Sequence, residues 1–134
     1  MTISTFVRSA RPEDALEVRR ILDAAMLEPG DVDARIDDSD VFVAGDRTGA
    51  TERILGTAVL EPLETQHGAH LSAIGVRRRH RGNGLGRRLV ERSLEREGRL
   101  TARFDDGVRP FYDSLGFTIE SVDEQRYRGV LVER

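Results

Sequence analysis

The densest chemistry in the chain lies between Val76 and Gly86, in the run Val-Arg-Arg-Arg-His-Arg-Gly-Asn-Gly-Leu-Gly. Glycines at 82, 84 and 86 let the backbone turn sharply and bring N–H groups close to a ligand. Arg77, Arg78, Arg79, Arg81, Arg87 and Arg88 fall within twelve consecutive positions. A helix opening at such a turn adds about half a positive charge at its N-terminus. The combination is an anion site suited to a diphosphate, with flanking arginines for further phosphate oxygens. No Gly-Lys-Ser/Thr follows, so it is not a Walker loop. A dinucleotide loop of the Rossmann kind follows the first strand, whereas this turn follows the fourth predicted one.

Other residues with chemical potential are few. Tyr112 sits in Phe111-Tyr-Asp-Ser-Leu-Gly-Phe117. His70 opens an apolar strand, and His67 and His80 lie in polar surroundings. The three histidines show no metal-ligand spacing, and there is no cysteine, which excludes thiolate nucleophiles and Cys-ligated zinc. Asp31, Asp33, Asp37 and Asp38 read as a solvated acidic face, with attraction of a cationic amine as the alternative.

The elements that must position these groups follow from pattern. Thr5–Ser9 reads as a strand. Pro12-Glu13-Asp14 opens a helix whose buried stripe is Ala15, Val18, Leu22 and Met26, ending before Pro29-Gly30. Asp31–Ser39 reads as a short helix or turn. Val41–Ala44 and Ile54–Leu60 read as a hairpin joined through Gly45–Thr51. His70–Val76 is a central strand, apolar on both faces. A helix runs from the glycine turn to about Glu97, with Leu85, Leu89 and Leu94 inward, and Gly98 ends it. Leu100–Phe104 is a strand, Pro110–Leu115 a helix closed by Gly116, and Phe117–Val122 and Tyr127–Val132 are the last strands. The result is an α/β chain with a mixed central sheet flanked by helices, read as one domain over 1–134.

At 134 residues the chain can bury a core without disulfides or metal. Net charge is −3, which counts against bulk nucleic-acid binding, and all 21 basic residues are arginine. No stretch approaches a membrane span, and Met1–Ala10 does not read as a signal peptide, so no membrane partner is expected and the cytoplasm is the expected compartment.

Arg81-Gly-Asn-Gly84-Leu-Gly86 resembles the R/Q-x-x-G-x-G/A signature of the GNAT N-acetyltransferases, preceded by Ile74-Gly75-Val76 as in that family. About 25 residues on, Phe111–Phe117 is similar to the family's F-Y-x-x-L-G-F motif, and Val7–Ala15 looks like its first strand and helix. The resemblance spans nearly the whole chain in order. It implies the GNAT-like fold and transfer of an acetyl group from acetyl-CoA, with no metal, to a small-molecule or peptide amine by direct attack.

Residue by residue, the resemblance implies that backbone at Ile74, Gly75 and Val76 lines the pantetheine arm, with the Val76 N–H on the thioester carbonyl. N–H groups of Gly82, Asn83, Gly84, Leu85, Gly86 and Arg87 would cradle the pyrophosphate beside Arg81, and Tyr112 would be the acid for the departing thiolate. Three positions depart from the family pattern. Ser72 stands where many members carry a glutamate base, and Asp105 where an asparagine often contacts pantetheine. Arg78 replaces a frequent proline. Serine is a poor base, which moves the expectation to His70, two residues away and on the same side of the strand. By analogy the late strands offer a homodimer surface. Two rival readings are a CoA-binding sensor with little turnover and a nucleic-acid module using Arg77–Arg81.

Overall fold

The computed structural model describes residues 3–28 and 30–134. Elements follow in the order β1 (Ile3–Ser9), a 3₁₀ turn (Pro12–Asp14), α1 (Ala15–Ala24), α2 (Val32–Asp37), β2 (Val41–Thr48), β3 (Thr51–Pro62) and β4 (Ala69–Val76). Then come a 3₁₀ turn (Arg78–His80), α3 (Leu85–Glu97), β5 (Arg99–Asp105), a 3₁₀ turn (Asp106–Val108), α4 (Arg109–Ser114), β6 (Thr118–Ser121) and β7 (Arg126–Val132). The strands form one seven-stranded sheet in the order β1-β2-β3-β4-β5-β7-β6. All neighbours are antiparallel except β4 and β5.

Each face of the sheet has its own core. Val18 and Leu22 of α1 and Val32 and Ile36 of α2 pack on Phe6, Val41, Val43, Val59 and Ala73. On the other face Leu85, Leu89 and Val90 of α3 and Tyr112 of α4 pack on Phe42, Ala58, Leu60, Leu71, Leu100, Ala102 and Phe104. Burying one such aliphatic side chain contributes about 1.5–3 kcal/mol, so both layers hold the sheet firmly. Arg8 ties the sheet to the start of α1 by bridging Asp14 and Glu52.

Met26 departs from the expected stripe. It is 92% exposed, and Ile21 takes the fourth buried place. The reason is local: α1 ends at Ala24, and Met26 adopts φ 60°. The Leu27 N–H then closes back on the Leu22 carbonyl at 2.9 Å, a left-handed stop that glycine usually makes. The hairpin is also longer than expected, since β2 and β3 run on to a two-residue turn at Gly49-Ala50. Charge pairs Asp46–Arg53 and Arg47–Glu52, directly opposite in register, extend it beyond its apolar part.

Gly45 therefore lies within β2 and not in a turn. A Cβ there would stand 1.8 Å from the Arg53 carbonyl oxygen. Gly45→Ala forces the β2–β3 bulge to open and should destabilise the protein by about 2–4 kcal/mol. Thermal unfolding that matches wild type would show that the hairpin absorbs the methyl freely.

Candidate active site

The site begins where β4 and β5 part. Their ladder holds only Ala69↔Leu100 and His70↔Thr101. Beyond it β4 stays paired with β3 to Val76, and β5 stays paired with β7 to Asp105. A wedge-shaped gap opens between them. The Arg77 N–H donates to the Leu55 carbonyl at 2.7 Å. By strand alternation Gly75 also addresses β3, so Ile74 and Val76 turn their backbone polar groups into the gap. The Val76 carbonyl accepts from Arg81 Nε at 3.1 Å, leaving its N–H and both groups of Ile74 for an extended ligand. Gly75 serves packing: a Cβ there would meet Ile21 at 3.2 Å. Beside it, a cavity of about 340 Å³ is lined by Ile21, Ala25, Val76, Arg78 and Arg81 among others.

A bulge at Ser72 inverts the strand. Leu60 faces Leu71 and Val59 faces Ala73, so Ser72 is the extra residue. Leu71 accordingly packs under α3 while Ala73, two residues on, packs under α1. The even spacing that would set His70 and Ile74 on one face therefore fails: Ile74 lies on the α3 side and His70 on the other. Ser72 is exposed and its hydroxyl donates to the Val59 carbonyl at 3.1 Å. His70 is half-buried at the closed end of the gap, with Nδ1 2.8 Å from Thr101 Oγ1. Burial, partly opposed by Glu61, lowers its pKa below the usual histidine value, so the ring is neutral near pH 7.

The open end of the gap meets the glycine turn. Gly82 and Gly84 have φ 81° and 83°, a left-handed backbone that suits glycine. A Cβ at either would meet nothing within 4 Å. Gly84 precedes α3 without a side-chain cap, and the first α3 bond runs from the Arg88 N–H to its carbonyl at 3.0 Å. The N–H groups of Leu85, Gly86 and Arg87 are left for an anion. Gly86 does something else: a Cβ there would stand 3.1 Å from the Phe111 ring, so this glycine seats α3 against α4. The arginines are unequal. Arg77 pairs with Glu17, Arg87 donates to the Ser114 carbonyl at 2.9 Å, and Arg88 reaches Thr5. Arg78 and Arg79 are exposed and, among the described residues, unpaired.

Tyr112 is 5% exposed. Its ring stacks on Phe104 with centroids 4.1 Å apart and meets Phe111 and Phe117 edge-on at 5.2 Å each. Burial pushes the phenol up to about 12, so it stays protonated at neutral pH. Among the described residues only Arg99 Nε is both sealed from solvent and unpaired. The Tyr112 hydroxyl, without a partner of its own, therefore keeps an opening. Asp105, by contrast, uses one oxygen to cap the next turn, accepting from the Gly107 N–H at 2.9 Å.

The model of the acetyltransferase (GNAT) domain matches residues 37–119. The chain belongs to the GNAT acetyltransferase family. Acetyl transfer from acetyl-CoA is the general reaction of that family. No curated protein matches the chain in sequence. Solved structures share the fold at low identity. A GNAT-family acetyltransferase from Bacillus cereus superposes with TM-score 0.78 at 14% identity, covering 98% of this chain and 99% of that one. A Mycobacterium tuberculosis protein solved with CoA gives 0.77 at 17%, covering 96% and 99%. Ard1 from Thermoplasma volcanium gives 0.74 at 18%, covering 96% and 97%.

Sequence reading missed Thr101, the partner of His70, and the bulge at Ser72. Nothing local marks either. Among the described residues no helix is long and apolar enough to cross a membrane, and no cluster of three acidic or histidine side chains gathers as for a metal.

The lowered pKa of His70 has a stability consequence. Below the ordinary histidine value the unfolded chain takes up a proton that the folded chain still refuses. Stability from this group is complete above pH 6.5 and is lost as pH falls through the folded value. His70→Gln, which keeps a partner for Thr101, should flatten the decline in Tm between neutral and mildly acid pH. An unchanged Tm–pH profile would show that His70 ionises as freely in the folded protein as in the unfolded chain.

Proposed function

We propose that this chain is an N-acetyltransferase in which a primary amine attacks acetyl-CoA directly. The observation that carries the reading is the continuity of two features. The β5-facing edge of β4 at Ile74 and Val76 has no strand partner, and a short arginine and glycine turn leads from it to an uncapped helix N-terminus. Pantetheine needs the first, an extended partner with free amide groups, and pyrophosphate needs the second.

In this reading Ile74 and Val76 hold the arm by backbone bonds, with the Val76 N–H on the thioester carbonyl. There it opposes the charge that develops on oxygen as the amine attacks. The N–H groups from Gly82 through Asn83, Gly84, Leu85 and Gly86 to Arg87 hold the pyrophosphate, and Arg78 and Arg79 add free positive charge beside Arg81. Tyr112 meets the departing sulfur. A phenol near 12 is a weaker acid than a thiol at about 8.5. It therefore stabilises the thiolate by donating a hydrogen bond before any complete proton transfer. His70, neutral and with Nε2 free of its Thr101 bond, is the nearest base on β4, but six residues of strand, about 20 Å, separate it from Val76, so the amine's proton would reach it through a chain of waters. The competing CoA-sensor reading keeps the same binding groups without turnover. Release of free CoA in the presence of amines decides between them.

Two variants test the assignment. Gly84→Val puts a branched side chain on a left-handed residue in the open cradle. It should abolish the rise in Tm that acetyl-CoA produces in wild type. A folded variant that still shows the full rise would make the loop a mere turn. Tyr112→Phe keeps the aromatic stack and removes one oxygen. Turnover should fall at least roughly tenfold, below the usual range of about 10²–10⁴-fold for acid help because water partly substitutes, with acetyl-CoA affinity intact. Wild-type turnover in this variant would leave Tyr112 as a packing residue.

A further inference from the structure

The gap between β4 and β5 is closed on one side and open on the other. On the α3 side it is backed by Leu85, Leu89, Phe104 and Tyr112. On the opposite side α1 and α2 cover residues of β1 to β4, and no core residue of β5, β6 or β7 belongs to that cluster. The face of β5, β7 and β6 beside His70 carries no helix. This uncovered face gives an acceptor a broad approach to a thioester in the gap, apart from the cavity beside Gly75.

Its charges are specific. Leu100, Ala102 and Phe104 point to the α3 side, so Thr101, Arg103 and Asp105 point to the open one. Arg103 stands two residues beyond Thr101, the partner of His70, and directly opposite Arg128 in the ladder. Its charge is felt at the His70 ring. Like charges set opposite each other weaken a sheet, and here only one is neutralised: Arg128 pairs with Glu120. Glu61 across from His70 is paired with Arg35 at 3.1 Å, and Asp105 is bound to its cap. Arg103 and the neighbouring Arg126 have no hydrogen bond or ion pair among the described side chains. The acidic residues that could attract a cation lie elsewhere: Asp33 pairs with Arg19, and Asp31 caps α2.

We infer that the acceptor is an amine bearing a carboxylate, of the free amino acid class, and that Arg103 determines this specificity by receiving the carboxylate on the open face. The inference rests on the acetyltransferase reading above. A planar guanidinium matches a carboxylate in two parallel bonds. A carboxylate held there leaves its α-amine free to turn toward the gap.

The test compares free CoA release from acetyl-CoA with L-alanine, L-glutamine and L-glutamate, with the α-amides of the same three, and with spermidine. Wild type should favour the carboxylates over their amides at least roughly tenfold in kcat/KM. Arg103→Gln should bring that ratio down toward one through a rise in KM for the carboxylates, with the acetyl-CoA-induced rise in Tm retained. Arg103→Lys should recover part of the preference. Equal or better use of the amides or of spermidine by wild type overturns the acceptor class and leaves acetyl transfer standing. A wild-type preference that Arg103→Gln leaves unchanged overturns the role of Arg103. No release with any of these amines, or with a wider amine panel, overturns the transferase reading and the acceptor class with it.

Discussion

One constraint organises this molecule: β4 and β5 run parallel yet remain neighbours for two residue pairs only. Each strand keeps its other partner to the end, so neither can swing back to satisfy the inner edge of the gap. Backbone N–H and C=O groups left without partners are costly unless water or a ligand takes them. The structure therefore holds a length of β4 ready for a third extended chain. The surrounding parts keep the gap in shape. Ile21 leans on Gly75 from one face, α3 and the Phe104–Tyr112 stack back the other, and Arg81 secures the Val76 carbonyl at the mouth.

The bulge at Ser72 gives the two sides of the gap different chemistry. Tyr112 stands among aromatic rings on the α3 side, where burial keeps its proton on. His70 stands on the open side, where partial burial keeps its proton off. Within the proposed reaction, the group that donates and the group that accepts lie on opposite faces of the sheet. The free arginine on the open side adds to this division, because positive charge beside His70 also favours the neutral ring.

Much of this was legible in the residues. Glycine spacing at 82, 84 and 86 with a following apolar period at Leu85 and Leu89 marks a turn into a helix. Gly98 and Gly116 end helices where their positions say they should, with φ 77° and 89°. The order of elements follows from such local signals. What escaped depends on partners far away in sequence. The extra residue at Ser72 exists only relative to Val59 and Leu60, and the Thr101 hydroxyl matters only because β5 returns beside β4. Met26 continues an apolar period that the chain itself breaks with a left-handed residue. The hairpin was cut short because Asp46, Arg47, Glu52 and Arg53 look like a polar loop until their charges are seen to face one another.

Gly86 shows how two remote duties are joined. The missing side chain lets the first turn of α3 lie against Phe111, the residue before Tyr112. The helix end that would grip phosphate and the phenol that would meet sulfur thus share one rigid seam. The packing of α3 on α4, and not a flexible loop, fixes how far the helix end stands from the phenol. In the proposed reaction, a thioester carried on a shorter or longer arm would be gripped at one end and miss the phenol at the other.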